Sequence, residues 1–278
     1  MRRDETIVVR GGGDVATGVI YALWNANYNV VVLETYKPSA IRREVSLCEA
    51  VYEGRSKVQD MECILCKDIE EIKPLWDKHI IPMFVDPECT LLEKLKPDIL
   101  IDAILAKKNM GTNMSMAPIT IALGPGFCAG KDVNAVIETM RGHTIATVIE
   151  EGYPIPDTRT PGLIAGETHR RVMHSPAKGV FKNVHSITDV VEEGEVIAEV
   201  VTDEGEHVPV YASLTGIIRG LLRDGYYVTE GFKVADIDPR LTEYNNCFTI
   251  SDKARNLGGG VLQAIGRLER KMGWLDKS

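Results

Sequence analysis

The sequence predicts an α/β protein in which a parallel-sheet domain is followed by a small all-β sandwich. In residues 6–150, short β-branched runs alternate with helical patterns, which is typical of a parallel sheet covered by helices. In residues 173–240, turn glycines and apolar positions repeat, which indicates two β-rich halves that cover each other. We therefore expect domains at 1–150 and 173–240, a linker or ordered loop at 151–172, and a helical tail at 241–278 that packs back on the first domain.

Six apolar runs predict the strands of the first domain: Ile7–Val9, Val30–Leu33, Ile80–Val85, Ile99–Ile101, Ile119–Leu123 and His143–Ile149. Helical patterns lie between them, at Val15–Asn25, Glu88–Leu95 and Asp132–Arg141. In the last segment, Val133, Val136, Ile137 and Met140 follow the spacing of one helix face. We therefore expect a helix there.

The repeat of the second domain is marked by pairs of glycines. Gly179 and Gly194 are 15 residues apart, as are Gly216 and Gly231, and the second pair follows the first at an offset of 37. Two copies are too few for a solenoid. They fit a pseudo-symmetric sandwich.

Composition and charge narrow the classes of partner. The chain has 278 residues and a net charge of −8, which argues against nucleic acid or an anionic membrane as the main partner. No apolar run approaches the roughly 20 residues that span a bilayer, and the N-terminus lacks the pattern of a signal peptide. We therefore expect a cytoplasmic protein.

Cysteine and histidine patterns predict neither disulfides nor a metal site. Six cysteines without a secretory signal do not form a disulfide framework. Cys63 and Cys66 form a C-x-x-C pair inside a strand-like run, where a spacing of three points side chains to opposite faces. Buried thiols are favoured over a redox or metal role. No catalytic residue is identified.

A glycine loop after the first strand is the first candidate site. A buried strand leads into Gly11, Gly12, Gly13 and Asp14, and a helix with Gly18 follows. Glycines allow close approach to a ligand, and a helix N-terminus offers unpaired N–H groups to phosphate. The second strand ends at Glu34, where an acid can bind a ribose hydroxyl.

Two interpretations of this loop remain open. One is a Rossmann-like dinucleotide site, and the other is a tight strand-to-helix turn without a ligand. The spacing departs from G-x-G-x-x-G, because the third glycine stands two positions late.

The second candidate site lies at later strand ends of the same sheet. The groups expected there are Lys107, Asn109, Glu138, Arg141 and His143. Open α/β sheets bind ligands at the carboxyl ends of their strands, and cations with an amide suit an anionic substrate or a second phosphate. A solvated loop and an ordinary helix end are the alternatives.

Several long motifs occur at Val8–Gly18, Lys37–Arg43, Ala129–Val133, Val136–His143, Gly220–Gly225, Lys233–Arg240, Ser251–Arg255 and Gly258–Gly260. Together they resemble the YqeB family, which comprises accessory proteins of selenium-dependent molybdenum hydroxylases. The resemblance implies a role in the maturation of a xanthine-dehydrogenase-like enzyme through its selenium or its molybdopterin cofactor. It implies no defined reaction.

The repeat is similar to the barrel sandwich of biotinyl/lipoyl domains. Such carrier domains display a lysine between their halves, whereas the segment Val201–Val208 contains none. We therefore expect a docking or lid module rather than a swinging arm.

The resulting hypothesis is an accessory protein whose Rossmann-like domain binds a dinucleotide. The ligand would be NAD(P), FAD or molybdopterin dinucleotide, and the partner would be the hydroxylase or its maturation machinery. One alternative is a non-catalytic scaffold that docks the hydroxylase or a selenium donor. Another is an NAD(P)-dependent oxidoreductase of a small metabolite. A homo-oligomer is compatible with each of these hypotheses.

Overall fold

The computed structural model describes residues 5–158 and 163–274, and over these ranges the chain divides into two compact units. Unit 1 contains the chain through Pro38, the segment Ser46–Thr158 and the chain from Ile250 onward. Unit 2 contains the segment Ser39–Val45 and the chain between Thr158 and Ile250. No sequence pattern predicted that Ser39–Val45 would leave the first unit.

The described part of unit 1 contains one sheet of nine strands, in the order β3-β4-β5-β2-β1-β6-β7-β8-β9. The strands are β1 (Thr6–Arg10), β2 (Asn29–Glu34), β3 (Arg55–Val58), β4 (Met61–Leu65), β5 (Ile81–Val85), β6 (Ile99–Asp102), β7 (Ile119–Leu123), β8 (Ala135–Ile137) and β9 (Val148–Ile149). The central strands are apolar and buried on both faces, as expected for parallel strands covered on both sides. The predicted strands within β1, β2, β5, β6 and β7 are confirmed.

The α-helices of the described residues all lie in unit 1. They are α1 (Asp14–Asn25), α2 (Ala50–Glu53), α3 (Ile72–Asp77), α4 (Leu92–Leu95) and α5 (Asp252–Lys271). The long helix α5 begins where Ser251 Oγ accepts a hydrogen bond from the N–H of Ala254 (3.2 Å), which is an N-cap. No helix in the described residues is long and apolar enough to cross a membrane.

The predicted fold class, a Rossmann-like parallel sheet plus a biotinyl/lipoyl-like barrel sandwich, is wrong. The described sheet of unit 1 is mixed, because β3 runs antiparallel to β4 and β9 runs antiparallel to β8. The connections from β6 to β7 and from β7 to β8, residues 103–118 and 124–134, contain no α-helix. Instead α5, from the far end of the chain, packs against β7, β8 and β9.

The predicted helix over Asp132–Arg141 is also wrong. Residues 135–137 form β8, which pairs in parallel with β7 and buries all three of its side chains. A strand buried on both faces has no polar side, so its apolar residues can imitate helical spacing by chance. The predicted strand over His143–Ile149 is reduced to the two residues of β9.

Cys63 and Cys66 are both buried free thiols, as predicted. Cys63 lies on β4 and Cys66 follows that strand. Burial raises the pKa of Cys63, and it raises the pKa of Cys66 to about 11. Both thiols are therefore protonated near neutral pH.

The described part of unit 2 contains two antiparallel sheets of four strands, in the orders β10-β17-β15-β12 and β14-β13-β11-β16. The strands are β10 (Val172–His174), β11 (Gly179–Asn183), β12 (Val190–Val191), β13 (Val196–Val201), β14 (His207–Tyr211), β15 (Gly216–Leu221), β16 (Tyr227–Val228) and β17 (Lys233–Asp238). β11, β12 and β13 recur as β15, β16 and β17 at the predicted offset of 37 residues. The repeat therefore exists, but its strands form two separate sheets rather than one closed barrel.

Candidate functional site

The first two residues of the glycine loop between β1 and α1 donate their N–H groups to the end of β2. The N–H of Gly11 donates to the carbonyl of Leu33 (2.8 Å). The N–H of Gly12 donates to Oε2 of Glu34 (2.7 Å), and Oε1 of Glu34 accepts from the N–H of Thr35 (2.7 Å). The carboxylate predicted for a ribose hydroxyl therefore binds the loop predicted for phosphate, and neither Gly11 nor Gly12 offers its amide to a ligand.

The surroundings of Glu34 and Gly12 fix this loop and shift the pKa of the carboxyl group. Burial raises the pKa of Glu34, and the hydrogen bonds from Thr35 and Gly12 lower it only in part. The carbonyl of Gly12 accepts from the N–H of Cys48 (2.8 Å), which ties the loop to the segment before α2. The half-buried carboxylate of Glu34, with its two backbone donors, therefore stabilises its own loop.

Gly18 serves helix packing rather than ligand binding. A Cβ at Gly18 would lie 2.5 Å from the Cβ of Ala254, and one at Gly258 would lie 2.7 Å from the Cβ of Ala22. The contacts advance in the same direction along both helices, so α1 and α5 run parallel. Both helices therefore begin at the same end of unit 1, and Gly18 lies in the contact between them.

Gly13 is the member of the loop that stays open. It precedes α1 with φ −66° and ψ −179°, an extended conformation that any residue can adopt. A Cβ at this position would meet no atom within 4 Å. The space beside Gly13, in front of the first turn of α1, is therefore open.

Charged side chains gather where the two helices begin. We use the name helix-start cluster for Gly13, Asp14, Glu138, Arg141, Asp157 and Lys253. Lys253 lies in the first turn of α5. The charges of Arg141, Asp14, Glu138 and Asp157 all influence the pKa of its ammonium. Three residues predicted from the sequence, Asp14, Glu138 and Arg141, are thus brought together.

Lys253 is the unusual member of this cluster. Burial lowers its pKa, the charge of Arg141 lowers it further, and the three carboxylates offset this only in part. Among residues 5–158 and 163–274, its ammonium makes no hydrogen bond and no ion pair. A cation in the first turn of a helix also opposes the helix dipole. Its charged form is therefore disfavoured in spite of the three carboxylates nearby.

The other groups of the cluster are fixed by specific contacts. Arg141 donates from Nη1 to Oδ2 of Asp252 (2.8 Å) and from Nη2 to Oδ1 (3.2 Å). Glu138 is 2% exposed and accepts from the N–H of Met140 (2.7 Å) and of Ile155 (2.8 Å). Glu138 therefore holds two loops in place through its two carboxylate oxygens.

The remaining predicted residues do not share one site. Lys107 Nζ lies 2.8 Å from Oδ2 of Asp157, which links it to the edge of the helix-start cluster. The Nδ2 of Asn109 donates to the carbonyl of Thr112 (2.8 Å), so this amide stabilises its own loop. His143 is exposed and, within the described ranges, makes no side-chain hydrogen bond or ion pair.

A buried ion pair lies beside the glycine loop. Arg10 Nη1 and Asp102 Oδ2, at the ends of the neighbouring strands β1 and β6, are 3.4 Å apart. Thr112 donates its hydroxyl to the same carboxylate oxygen (2.6 Å). Burial raises the pKa of Asp102, and the contacts with Thr112 and Arg10 reduce that rise. The pair holds the loop after β6 and is covered by protein.

Sequence reasoning missed Lys253. The signal was present, because a lysine two positions after a capping serine opposes the helix dipole, whereas acids are favoured there. No three His, Cys, Asp or Glu side chains of the described residues form a cluster that could hold a metal ion.

No protein-family model matches the chain. The chain is 48% identical over 261 residues to "Uncharacterized protein YqeB" of Escherichia coli (strain K12), and the match covers 94% of this chain and 47% of that protein. The chain thus spans about half the length of the curated relative it matches.

Two solved structures are distantly similar. An aspartoacylase family protein from Mesorhizobium loti MAFF303099 is 12% identical, with 86% of each chain covered and a TM-score of 0.29. A succinylglutamate desuccinylase/aspartoacylase from Rhodobacter sphaeroides is 16% identical, with 86% of this chain and 87% of that chain covered and a TM-score of 0.28. Likenesses this weak support no inference about the chain. The chain is therefore similar to the Escherichia coli protein over nearly its whole length.

Proposed function

We propose that the chain is an accessory protein in the maturation of a selenium-dependent molybdenum hydroxylase, and that unit 1 binds a dinucleotide-type ligand. The maturation role follows from the family resemblance. The ligand would be NAD(P), FAD or molybdopterin dinucleotide, with a phosphate at the helix-start cluster. The hydroxylase or its maturation machinery would be the partner.

The observation that carries the ligand proposal is the pair of cations, Lys253 and Arg141, near the starts of α1 and α5. Lys253 and Arg141 stand close enough for one to lower the pKa of the other, and both α1 and α5 direct the positive ends of their dipoles toward this region. An anion placed there would relieve the repulsion between the cations and accept N–H donors from the first turn of α1.

A dinucleotide fits this region only in part. The open position of Gly13 leaves room for a phosphate in front of α1, since a Cβ there would meet no atom within 4 Å. At Glu34 both oxygens already accept backbone hydrogen bonds, which disfavours the predicted ribose contact. The proposal therefore places the phosphate at Gly13, Arg141 and Lys253 and assigns no ligand contact to Glu34.

The test is ligand-induced stabilisation of the wild-type chain and of Gly13→Val. A ligand at 100 times its Kd stabilises a protein by about 2.7 kcal/mol, which shifts the melting temperature by several degrees. We expect a shift of the wild type with NAD(P) or FAD. Gly13→Val should melt normally without ligand, because its side chain has open space, and it should lose the shift. Absence of a shift of the wild type with each of NAD(P), FAD and molybdopterin dinucleotide would overturn the ligand proposal.

A non-catalytic scaffold is the second candidate, and the internal pairing of Gly12 with Glu34 favours it. On this view unit 1 docks the hydroxylase or a selenium donor without a cofactor. Capture of the hydroxylase by Gly13→Val as well as by the wild type, together with no dinucleotide shift, would favour the scaffold. Gly11 is unsuited to this test, because its φ of +98° disfavours any side chain.

A further inference from the structure

We propose that the outer face of one sheet of unit 2 is a self-association surface, through which two copies of the chain pair about a two-fold axis. The sheet is β14-β13-β11-β16, and its outer face is the one turned away from the core of unit 2. The proposal is independent of the proposed function, because it uses no residue of the helix-start cluster. It is carried by the strand register, the exposed side chains and their charges.

The strand register assigns the side chains to the two faces of this sheet. Phe181 on β11 lies opposite Val200 on β13, and both are buried in the core of unit 2. Val228 on β16 and Val210 on β14 belong to the same core. Because successive side chains of a strand point to opposite faces, their neighbours point outward. Across the sheet, the outward positions are Tyr227, Val180, Val201 and His207 in one row and Lys182, Glu199 and Pro209 in the next.

The outward positions are more apolar than a solvated sheet face requires. An antiparallel sheet that faces water on one side carries polar residues on that side. Here Val180 and Val201 lie side by side and are partly exposed, while Tyr227 is 46% and Tyr211 54% exposed. In the other sheet of unit 2, by contrast, β17 is buried at five of its six residues. An exposed face of this kind is typical of an interaction surface.

The two rows are self-complementary about a two-fold axis. An axis parallel to the strands and midway between β11 and β13 places β11 of one copy against β13 of the other. Lys182 then faces Glu199 of the second copy, because the two residues are register partners in one sheet. Val180 faces Val201 of the second copy for the same reason. Each contact occurs twice, as an isologous interface requires.

The charges of the face favour a second copy over a partner of one charge sign. Lys182 Nζ lies 3.4 Å from Oδ2 of Asp224, and the two side chains are 50% and 55% exposed. Glu199 Oε2 lies 2.8 Å from Nδ1 of His207. The face thus carries both signs in adjacent positions, although the chain has a net charge of −8. A copy turned about the axis presents each sign to its opposite, which is the complementarity that selects a partner.

The size of the face predicts a weak, reversible dimer. Four strands about 4.8 Å apart, each about five residues long at about 3.4 Å per residue, form a flat face of roughly 19 by 17 Å. Side-chain relief enlarges its accessible area, but the face stays near the lower limit of about 600 Å² per partner for specific interfaces. Since packed sheets cross at about 30°, the central pairs of the face remain closest.

Sedimentation equilibrium of the full chain tests the proposal. Concentrations from about 1 to 200 μM bracket the micromolar dissociation constant expected for an interface of this size. We expect the average mass to rise from that of one chain toward that of two. Lys182→Glu and Glu199→Lys each place like charges across the axis and should weaken the dimer about tenfold or more. Lys233→Glu is the matched control, because it makes the same change at an exposed position of β17.

An equimolar mixture of the Lys182→Glu and Glu199→Lys variants separates a lost contact between copies from damage within one copy. In the mixed dimer, each position 182 faces a residue of opposite charge at position 199. The like charges that each substitution creates within its own sheet remain, so damage within a copy would persist in the mixture. We therefore expect the mixture to associate about as strongly as the wild type.

Three results would overturn the proposal. The first is a wild type that keeps the mass of one chain at every concentration. If Lys182→Glu then also weakened capture of the hydroxylase, the face would belong to that partner rather than to a second copy. The second is a dimer that Lys182→Glu leaves intact, which would place the interface elsewhere. The third is a mixture that associates no better than either variant alone.

Discussion

Lys253 illustrates how a single side chain can reduce stability where a ligand is to bind. Its ammonium is partly removed from water, repelled by Arg141 and opposed by the dipole of α5. Each of these terms disfavours the ligand-free folded state. An arrangement of this kind is expected at binding sites, where groups are placed for the ligand rather than for the fold.

We therefore predict that Lys253→Met makes the ligand-free protein more stable. The free energy of unfolding should rise by about 0.5 kcal/mol at neutral pH, a size appropriate to a partly screened charge. A lysine with a lowered pKa binds fewer protons in the folded than in the unfolded chain, so wild-type stability should increase with pH between the folded pKa and 10.5. The advantage of the variant should shrink over the same window.

Urea unfolding at several pH values measures this effect. Lys94→Met makes the same chemical change at an exposed position of α4 and should alter stability little at any pH. A loss of stability in Lys253→Met would show that the folded chain stabilises the Lys253 ammonium, which is the opposite of the repulsion expected from Arg141 and from burial.

At the scale of elements, the parallel pair α1–α5 organises the helix-start cluster. The consecutive glycines Gly258 and Gly259 on α5 play opposite parts. A Cβ at Gly258 would lie 2.7 Å from the Cβ of Ala22 and 2.8 Å from the carbonyl oxygen of Gly18, whereas a Cβ at Gly259 would meet no atom within 4 Å. Gly258 therefore permits close approach of the helices, and Gly259 has no such role.

This contrast predicts opposite effects of the same substitution. Gly259→Ala should stabilise the protein by about 1 kcal/mol, because alanine is a much better helix former than glycine. Gly258→Ala gains the same propensity but forces α1 and α5 apart, and overpacking of this kind costs about 1–3 kcal/mol. Thermal unfolding of the two variants beside the wild type measures the difference. Equal stabilisation by both would contradict the close packing of the helices.

Elements with a strong local pattern could be predicted from the sequence, whereas their partners could not. The runs that became β1, β2 and β6 are continuous and apolar, so their burial was evident. The three residues of β8 are too few to show a period of two, and an i, i+3, i+4 coincidence made them resemble a helix. The helix that covers β8 is α5, which comes more than 100 residues later in the chain.

The helix-start cluster, too, could be predicted only where local pattern and strand order determine its residues. Asp14, Glu138 and Arg141 lie near strand ends at one edge of the sheet, which strand order alone can indicate. Whether Glu34 binds a ribose or its own loop depends on a distance of a few ångströms, which spacing in a sequence does not encode. Lys253 comes to this edge only through the packing of α5 on α1.

At the scale of the whole molecule, the two units are not consecutive stretches of the chain. The segment Ser39–Val45 leaves unit 1 and completes unit 2. Within unit 2, the N–H of Leu221 donates to the carbonyl of Ile41 (2.8 Å), and Arg42 Nη2 donates to the carbonyls of Asn246 (2.9 Å) and Thr249 (3.1 Å). The 37-residue repeat predicted the paired strands of this unit but not the segment that binds beside them.

We predict that residues 159–249 alone are much less stable than the same fragment supplied with the missing segment. Each lost hydrogen bond costs about 1 kcal/mol, and buried groups left unpaired cost more, so the deficit is a large part of the roughly 5–15 kcal/mol that stabilises a typical domain. A synthetic peptide of residues 38–46 should raise the urea midpoint of the fragment as its concentration increases.

A peptide carrying Arg42→Ala is the matched control for this test. It keeps the backbone contact of Ile41 with Leu221 but loses both hydrogen bonds from the guanidinium, so it should raise the midpoint much less at equal concentration. A fragment equally stable with and without the wild-type peptide would show that unit 2 folds without Ser39–Val45. That segment would then be a connection between the units, and the contacts of Ile41 and Arg42 would follow folding of unit 2 rather than support it.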